Sequence, residues 1–154
     1  IIVEIIERRY GTRKISELGG LAQQAPAMAI FFVIIALANI ALPLTNGFAG
    51  EFLMFNGLLG AKSKYFLLFT VLAGLGIILA AVYTLNMIRK TFYGEAVVLK
   101  APVTDLKWNE QLALGVIVLI ILWLGIHPQS LLGVTDSFSK EWFNKIDVSY
   151  LFRK

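Results

Sequence analysis

The chain has no cysteine, one histidine (His127) and four prolines in 154 residues. Without thiolates it can form no disulfide, no Cys-type zinc site and no thiolate-held iron–sulfur cluster. One histidine cannot hold a metal by itself. Charge is scarce too: 16% of residues are Asp, Glu, Lys or Arg, against about a quarter in soluble domains. The charges are also clumped. Between Glu17 and Lys62 the only charged residue is Glu51, and from Tyr65 to Ile88 there is none. From Gln111 to Thr135 only His127 can titrate. A soluble helical bundle needs polar faces at helical spacing. Phe66 to Leu79 offers only Thr70 and glycines, so that class is excluded. Apolar runs of this length are membrane spans, because roughly 20 apolar helical residues cross a hydrocarbon core. The net charge of +4 sits mostly in loops. Topology explains it better than nucleic acid does. The predicted class is an all-α, polytopic transmembrane helix bundle in contact with the lipid bilayer.

The opening stub, Ile1 to Glu7, is apolar before it is charged, the reverse of a signal peptide. It is expected to be the end of a preceding span (1–7) whose beginning is missing, so the chain is expected to be a fragment. Residues 8–20 form a basic loop. Residues 21–60 are apolar but interrupted near 42–47 by Leu42-Pro43-Leu44-Thr45-Asn46-Gly47. Proline removes a backbone donor and clashes with the preceding turn, and Asn and Gly favour turns. A clean span follows at 65–88, about 36 Å at the usual helical rise. A polar loop occupies 89–109 and a last span 110–127. Trp108 and Trp123 suit an interfacial belt at its two ends. Pro128 stops that span. The tail 128–154 is amphipathic, with Phe138, Trp142, Phe143 and Ile146 at helical spacing. Such a tail lies along the membrane surface or on a partner.

The sidedness of 21–60 follows from its flanks. Loop 8–20 carries Arg8, Arg9, Arg13 and Lys14, and loop 89–109 carries Arg89, Lys90, Lys100 and Lys107. The positive-inside rule puts both in the cytoplasm. One discontinuous helix achieves that, whereas two complete crossings do not. Residues 48–60 are also short for a full span.

Glu51 is the candidate chemical group. A carboxylate in a membrane helix is costly unless it is hydrated, paired or protonated. Burial raises its pKa and a neighbouring lysine lowers it, which suits a proton relay. The alternative is a structural carboxylate that reaches an interface or pairs with Lys62. Broken transporter helices expose helix termini and free carbonyls at their ion sites. Pro43, Thr45, Asn46, Gly47 and Gly50 are the expected lining. Asn39, Asn56, Thr84 and Asn86 either bind channel water or glue helices together, and glue is the commoner role. Tyr83 reads as packing and His127 as an interfacial structural residue. Gly74 and Gly76 are expected to permit close helix approach. Leu18-Gly19-Gly20-Leu21 lacks the strand and spacing of a dinucleotide loop. No Walker sequence or other enzyme motif occurs, so redox chemistry belongs elsewhere.

Several of these segments resemble a known family. They are Leu18-Gly19-Gly20-Leu21 with Pro26, Ala38-Asn39-Ile40-Ala41-Leu42-Pro43, Asn46 to Leu53, Tyr83 to Gly94, and Gly125-Ile126-His127-Pro128-Gln129. Together they resemble the antiporter-like subunits of NADH:quinone oxidoreductase, respiratory complex I. Gly50-Glu51-Phe52 is similar to the M type, the mitochondrial subunit 4 counterpart. The resemblance implies a subunit of fourteen helices with the twelfth discontinuous, and Glu51 as the terminal acid of a chain of buried charges. It implies partners in the membrane arm and a bacterial inner (plasma) membrane. No cofactor is implied for this chain: NADH, FMN, iron–sulfur clusters and quinone belong to other subunits. Mrp-type Na⁺/H⁺ antiporters and membrane-bound hydrogenases share the architecture and stand as alternatives, as does a structural scaffold without a proton path. One departure is Leu44, where many members have glycine after the proline.

Overall fold

The computed structural model describes residues 1–60, 64–95 and 104–145, with backbone only at residues 137 and 143–145. Seven α-helices occur among them and no strand: α1 (Ile2–Tyr10), α2 (Leu21–Gln24), α3 (Pro26–Asn39), α4 (Asn46–Gly60), α5 (Phe66–Phe92), α6 (Trp108–Ile126) and α7 (Gln129–Lys145). A short 3₁₀ turn spans Ile15–Glu17. The chain is thus an all-α transmembrane bundle with a discontinuous helix, α3–α4.

Each boundary has a local cause. Pro26 occupies the first position of α3, where its missing N–H costs nothing. It also separates α3 from the single turn of α2. α5 continues past the expected end at 88 to Phe92. Arg89 and Lys90 lie in its last turn, and cations there complement the helix dipole rather than end the helix. α5 and α6 are both long and apolar enough to cross a membrane. The tail forms a helix as far as Lys145. Phe138 and Trp142 are exposed on it, beside Leu131 and Val134. Ile146 and the side chain of Phe143 lie outside the described residues, as do Lys62, Lys100 and Pro102.

The buried core sits at one end of the bundle. Leu21, Met28, Phe92 and Leu114 are fully enclosed there, with Ile2, Ile5, Ile6 and Leu106 around them. Phe32 of α3 tilts against Phe92 of α5 at 4.6 Å between ring centroids. Enclosing such a side chain is worth roughly 1.5–3 kcal/mol against exposure to water. Loop 8–20 and the described part of loop 89–109 meet at this same end. Arg9, in the last turn of α1, forms an ion pair with Glu110 in the first turn of α6. The outward face of α5 is bare by comparison. Gly74 and Gly76 were expected at a close helix approach, yet a methyl group added to either would meet no other heavy atom within 4 Å among the described residues.

Candidate functional site: the broken helix and Glu51

The break is built from hydrogen bonds that no longer follow the α-helical ladder. Ile40 and Ala41 N–H donate to the carbonyls of Leu37 (3.3 Å) and Ala38 (3.2 Å), three residues back. Leu42 N–H donates to Leu37 O at 3.2 Å, five residues back. The chain then passes through two non-glycine residues in the left-handed region, Ala41 (φ 55) and Leu44 (φ 77). Such a conformation costs an L-residue roughly 1–2 kcal/mol. Thr45 closes the turn: its N–H and its hydroxyl both donate to Leu42 O, at 3.0 and 2.6 Å. Thr45 is buried, and Phe48 N–H donates to its carbonyl at 3.2 Å, which starts α4.

Two glycines let this turn pack tightly. A Cβ at Gly47 would lie 3.0 Å from Ala38 O and 3.4 Å from Ala41 Cα. Gly125, in the last turn of α6, is tighter still. A Cβ there would fall 2.1 Å from Leu44 O and 2.6 Å from Thr45 C, so the backbone of the turn lies directly on the backbone of α6.

Glu51 is half-buried in α4, and its carboxylate has no hydrogen bond or ion pair among the described residues. It lines a groove of 280 Å³ with Ala41, Phe48, Phe52, Phe55 and Ile77. Lys62, the one partner the sequence suggested, lies outside the described residues. The acid therefore shares its groove with a residue of the break and with three phenylalanines. Asn46 and Gly50 line a different groove, of 150 Å³, with Leu124 and Leu131. Pro43 and Asn46 are exposed, while Thr45 and Gly47 are turned into the break itself.

The four candidate polar side chains divide likewise. Asn39 and Thr84 face one cleft of 490 Å³ between α1, α3, α5 and α6. The Thr84 hydroxyl is buried there without a partner among the described residues. Asn86 instead accepts a hydrogen bond from Arg89 Nη2 at 3.2 Å, and Asn56 is exposed on α4. Tyr83 lines the Asn39–Thr84 cleft as well. His127 packs against Trp123, with ring centroids 5.3 Å apart.

A polar cluster at the other end of α3 had no sequence signal. Asp105, in the segment before α6, accepts hydrogen bonds from the N–H groups of Ala27 (2.8 Å), Met28 (3.1 Å) and Leu106 (2.7 Å). Residue 25 is an alanine and supplies no side-chain cap of its own. Glu110 accepts from Lys107 N at 2.8 Å as well as from Arg9, and Arg9 Nη1 donates to Thr104 O at 2.5 Å. The Tyr10 hydroxyl is buried without a partner among the described residues. Burial pushes its pKa above the usual tyrosine value, Arg9 pulls it down and Asp105 raises it further.

The chain has well-matched relatives. Residues 1–86, over half of it, match the family described as NADH:quinone oxidoreductase/Mrp antiporter, TM. It is 37% identical over 135 residues to NADH-quinone oxidoreductase subunit M of Rickettsia typhi, covering 87% of this chain and 26% of that protein. It is 33% identical over 150 residues to subunit M of Buchnera aphidicola, covering 92% of this chain and 28% of the relative. The chain thus spans about a quarter of the length of the curated relatives it matches. A solved structure of respiratory complex I from Thermus thermophilus with bound NADH contains a similar chain. The TM-score is 0.73 at 35% identity, over 82% of this chain and 26% of that one. The break, the two apolar spans and these matches agree: the chain belongs to the NADH:quinone oxidoreductase/Mrp antiporter transmembrane family.

Proposed function

We propose that the full-length protein is a proton-translocating membrane-arm subunit of an NADH:quinone oxidoreductase, in which Glu51 passes protons between a buried axis and the outer side. The observation that carries this reading is the half-buried Glu51 carboxylate, without a partner among the described residues and sharing a groove with the break. A carboxylate in a membrane helix is costly unless it is hydrated, paired or protonated, so it is a functional candidate by default. The names of the relatives, subunit M of NADH-quinone oxidoreductases, support the same reading. Quinone reduction in other subunits drives the transfer. In this reading NADH, FMN, iron–sulfur clusters and quinone belong to those subunits. The partners are the other membrane-arm subunits, and the site of action is a bacterial inner membrane. Loops 8–20 and 89–109 face the cytoplasm.

The experiment is NADH-driven proton pumping by vesicles carrying the full-length protein with Glu51→Gln, with assembly followed on a native gel. Loss of pumping by an assembled complex supports the relay. Unchanged pumping makes Glu51 structural. The family's description also names Mrp antiporters, so a sodium-coupled antiporter subunit is the second reading. Sodium-dependent proton movement without NADH would select it.

A further inference from the structure

Asp105 precedes α6 and Gly125 lies in its last turn; the first touches the start of α3, the second the turn between α3 and α4. Asp105, ahead of α6, closes the N-terminus of α3 through Ala27 and Met28. Gly125, in the last turn of α6, seats the turn ahead of α4 through the backbone of Leu44 and Thr45. We propose that α6 with Asp105 is a strut that ties the start of α3 to the turn ahead of α4, and that Asp105 and Gly125 are positioning residues for Glu51.

Four observations carry this. First, α3 has no cap of its own, because Ala25 offers no side-chain acceptor. Replacing a capping oxygen weakens the start of a helix, so the borrowed carboxylate matters to α3. Second, α6 is the longer helix: Trp108 to Gly125 rises about 26 Å and Pro26 to Asn39 about 20 Å, so α6 reaches past the end of α3 to the turn ahead of α4. Third, Asp105 is itself held: its Oδ1 also accepts from Leu106 N, and the neighbouring Thr104 carbonyl and Glu110 are both bound by Arg9. Fourth, the contact at Gly125 is backbone on backbone, which no side-chain rotation can relieve. With the start of α3 and residues 44–45 both held against the α6 side, the position of α4 relative to α3 depends on how that turn is seated. Glu51 follows α4. Its groove includes Ala41 of the turn and Ile77 of α5, so its surroundings depend on where the turn is seated.

The positioning half rests on the relay reading of Glu51, whereas the strut does not. The test uses the full-length protein in its native membrane, with Asp105→Ala, Asp105→Asn, Gly125→Ala and Glu51→Gln. Hydrogen exchange of segment 26–29 is expected to accelerate about ten-fold in Asp105→Ala, the order of one capping interaction. Asp105→Asn, which keeps one acceptor oxygen, is expected to fall between. A hydrophobic carbodiimide labels protonated carboxyl groups in apolar surroundings. Its rate at Glu51, read by mass spectrometry, is expected to change several-fold in Asp105→Ala and Gly125→Ala and to recover towards the parent in Asp105→Asn. Unchanged exchange at 26–29 overturns the strut. Faster exchange with unchanged labelling overturns the positioning role. If Asp105→Ala or Gly125→Ala does not accumulate, Asp105→Asn carries both measurements. If Glu51→Gln pumps normally while both readouts move, the relay reading fails and the strut stands.

Discussion

Arg9 and Glu110, 101 residues apart in sequence, form a direct ion pair that joins the end of α1 to the start of α6. Their side chains are only 12% and 24% exposed, so solvent screens the pair weakly. Arg9→Ala strands the Glu110 carboxylate and frees the Thr104 carbonyl. The expected loss is about 1–3 kcal/mol. A double-mutant cycle with Glu110→Gln in the solubilised full-length protein checks it. The double variant should lose less than the two single losses combined, because each single change leaves a buried partner unmatched.

Leu44→Gly is expected to stabilise the break. Relief of the left-handed conformation returns roughly 1–2 kcal/mol, while the extra freedom of glycine in the unfolded chain costs about 0.5–1 kcal/mol. Leu44 is 64% exposed, so little packing is lost. The midpoint of thermal unfolding should rise for glycine and not for Leu44→Ala, which keeps the offending Cβ.

The Tyr10 hydroxyl sits buried without an acceptor among the described residues. Tyr10→Phe is therefore expected to be neutral or to stabilise by up to about 1 kcal/mol. The pH dependence has a definite sign. Burial raises the folded-state pKa above the ordinary 10.0. The contribution is therefore fully present below that value and is lost as pH rises through the folded-state pKa. Melting curves from about pH 9 to about pH 11 should show this alkaline loss in the parent and a smaller one in Tyr10→Phe.

Glu17 shows the opposite sign. The Thr12 hydroxyl, which donates to its carboxylate, and then Lys14 hold its pKa below the usual 4.5. This contribution to loop 8–20 is present above 4.5 and lost as pH falls through the folded-state value. Thr12→Val removes the leading cause. Hydrogen exchange of segment 12–18, corrected for intrinsic rates, should then step up at a higher pH than in the parent.

The spans were legible because no charged residue falls from Phe66 to Ile88 in α5 or from Gln111 to the end of α6, and apolar runs of that length suit a membrane crossing. The break was legible because Pro43, Asn46 and Gly47 cluster within one turn. Its shape was not, since nothing in the local sequence marks Ala41 or Leu44 for positive φ. The polar lining was half legible: sequence marks Asn39, Asn56, Thr84 and Asn86 as polar, but only the packing sends Asn39 and Thr84 to one cleft. The role of Asp105 was invisible. An aspartate in a loop near a proline suggests a local turn, whereas its partners Ala27 and Met28 lie 78 and 77 residues away. Gly125 was seen as part of a motif, but its close contact depends on a stretch of backbone brought in from the break.

The paired contacts at the two ends of α6 also set what this stretch of chain can tolerate over time. Substitutions on its lipid-facing side change neither contact. One inserted residue, however, adds about 1.5 Å and turns everything beyond it by about 100°, so Asp105 and Gly125 could no longer meet Ala27 and Leu44 together. Between those two positions the lipid-facing letters can vary, but their number cannot.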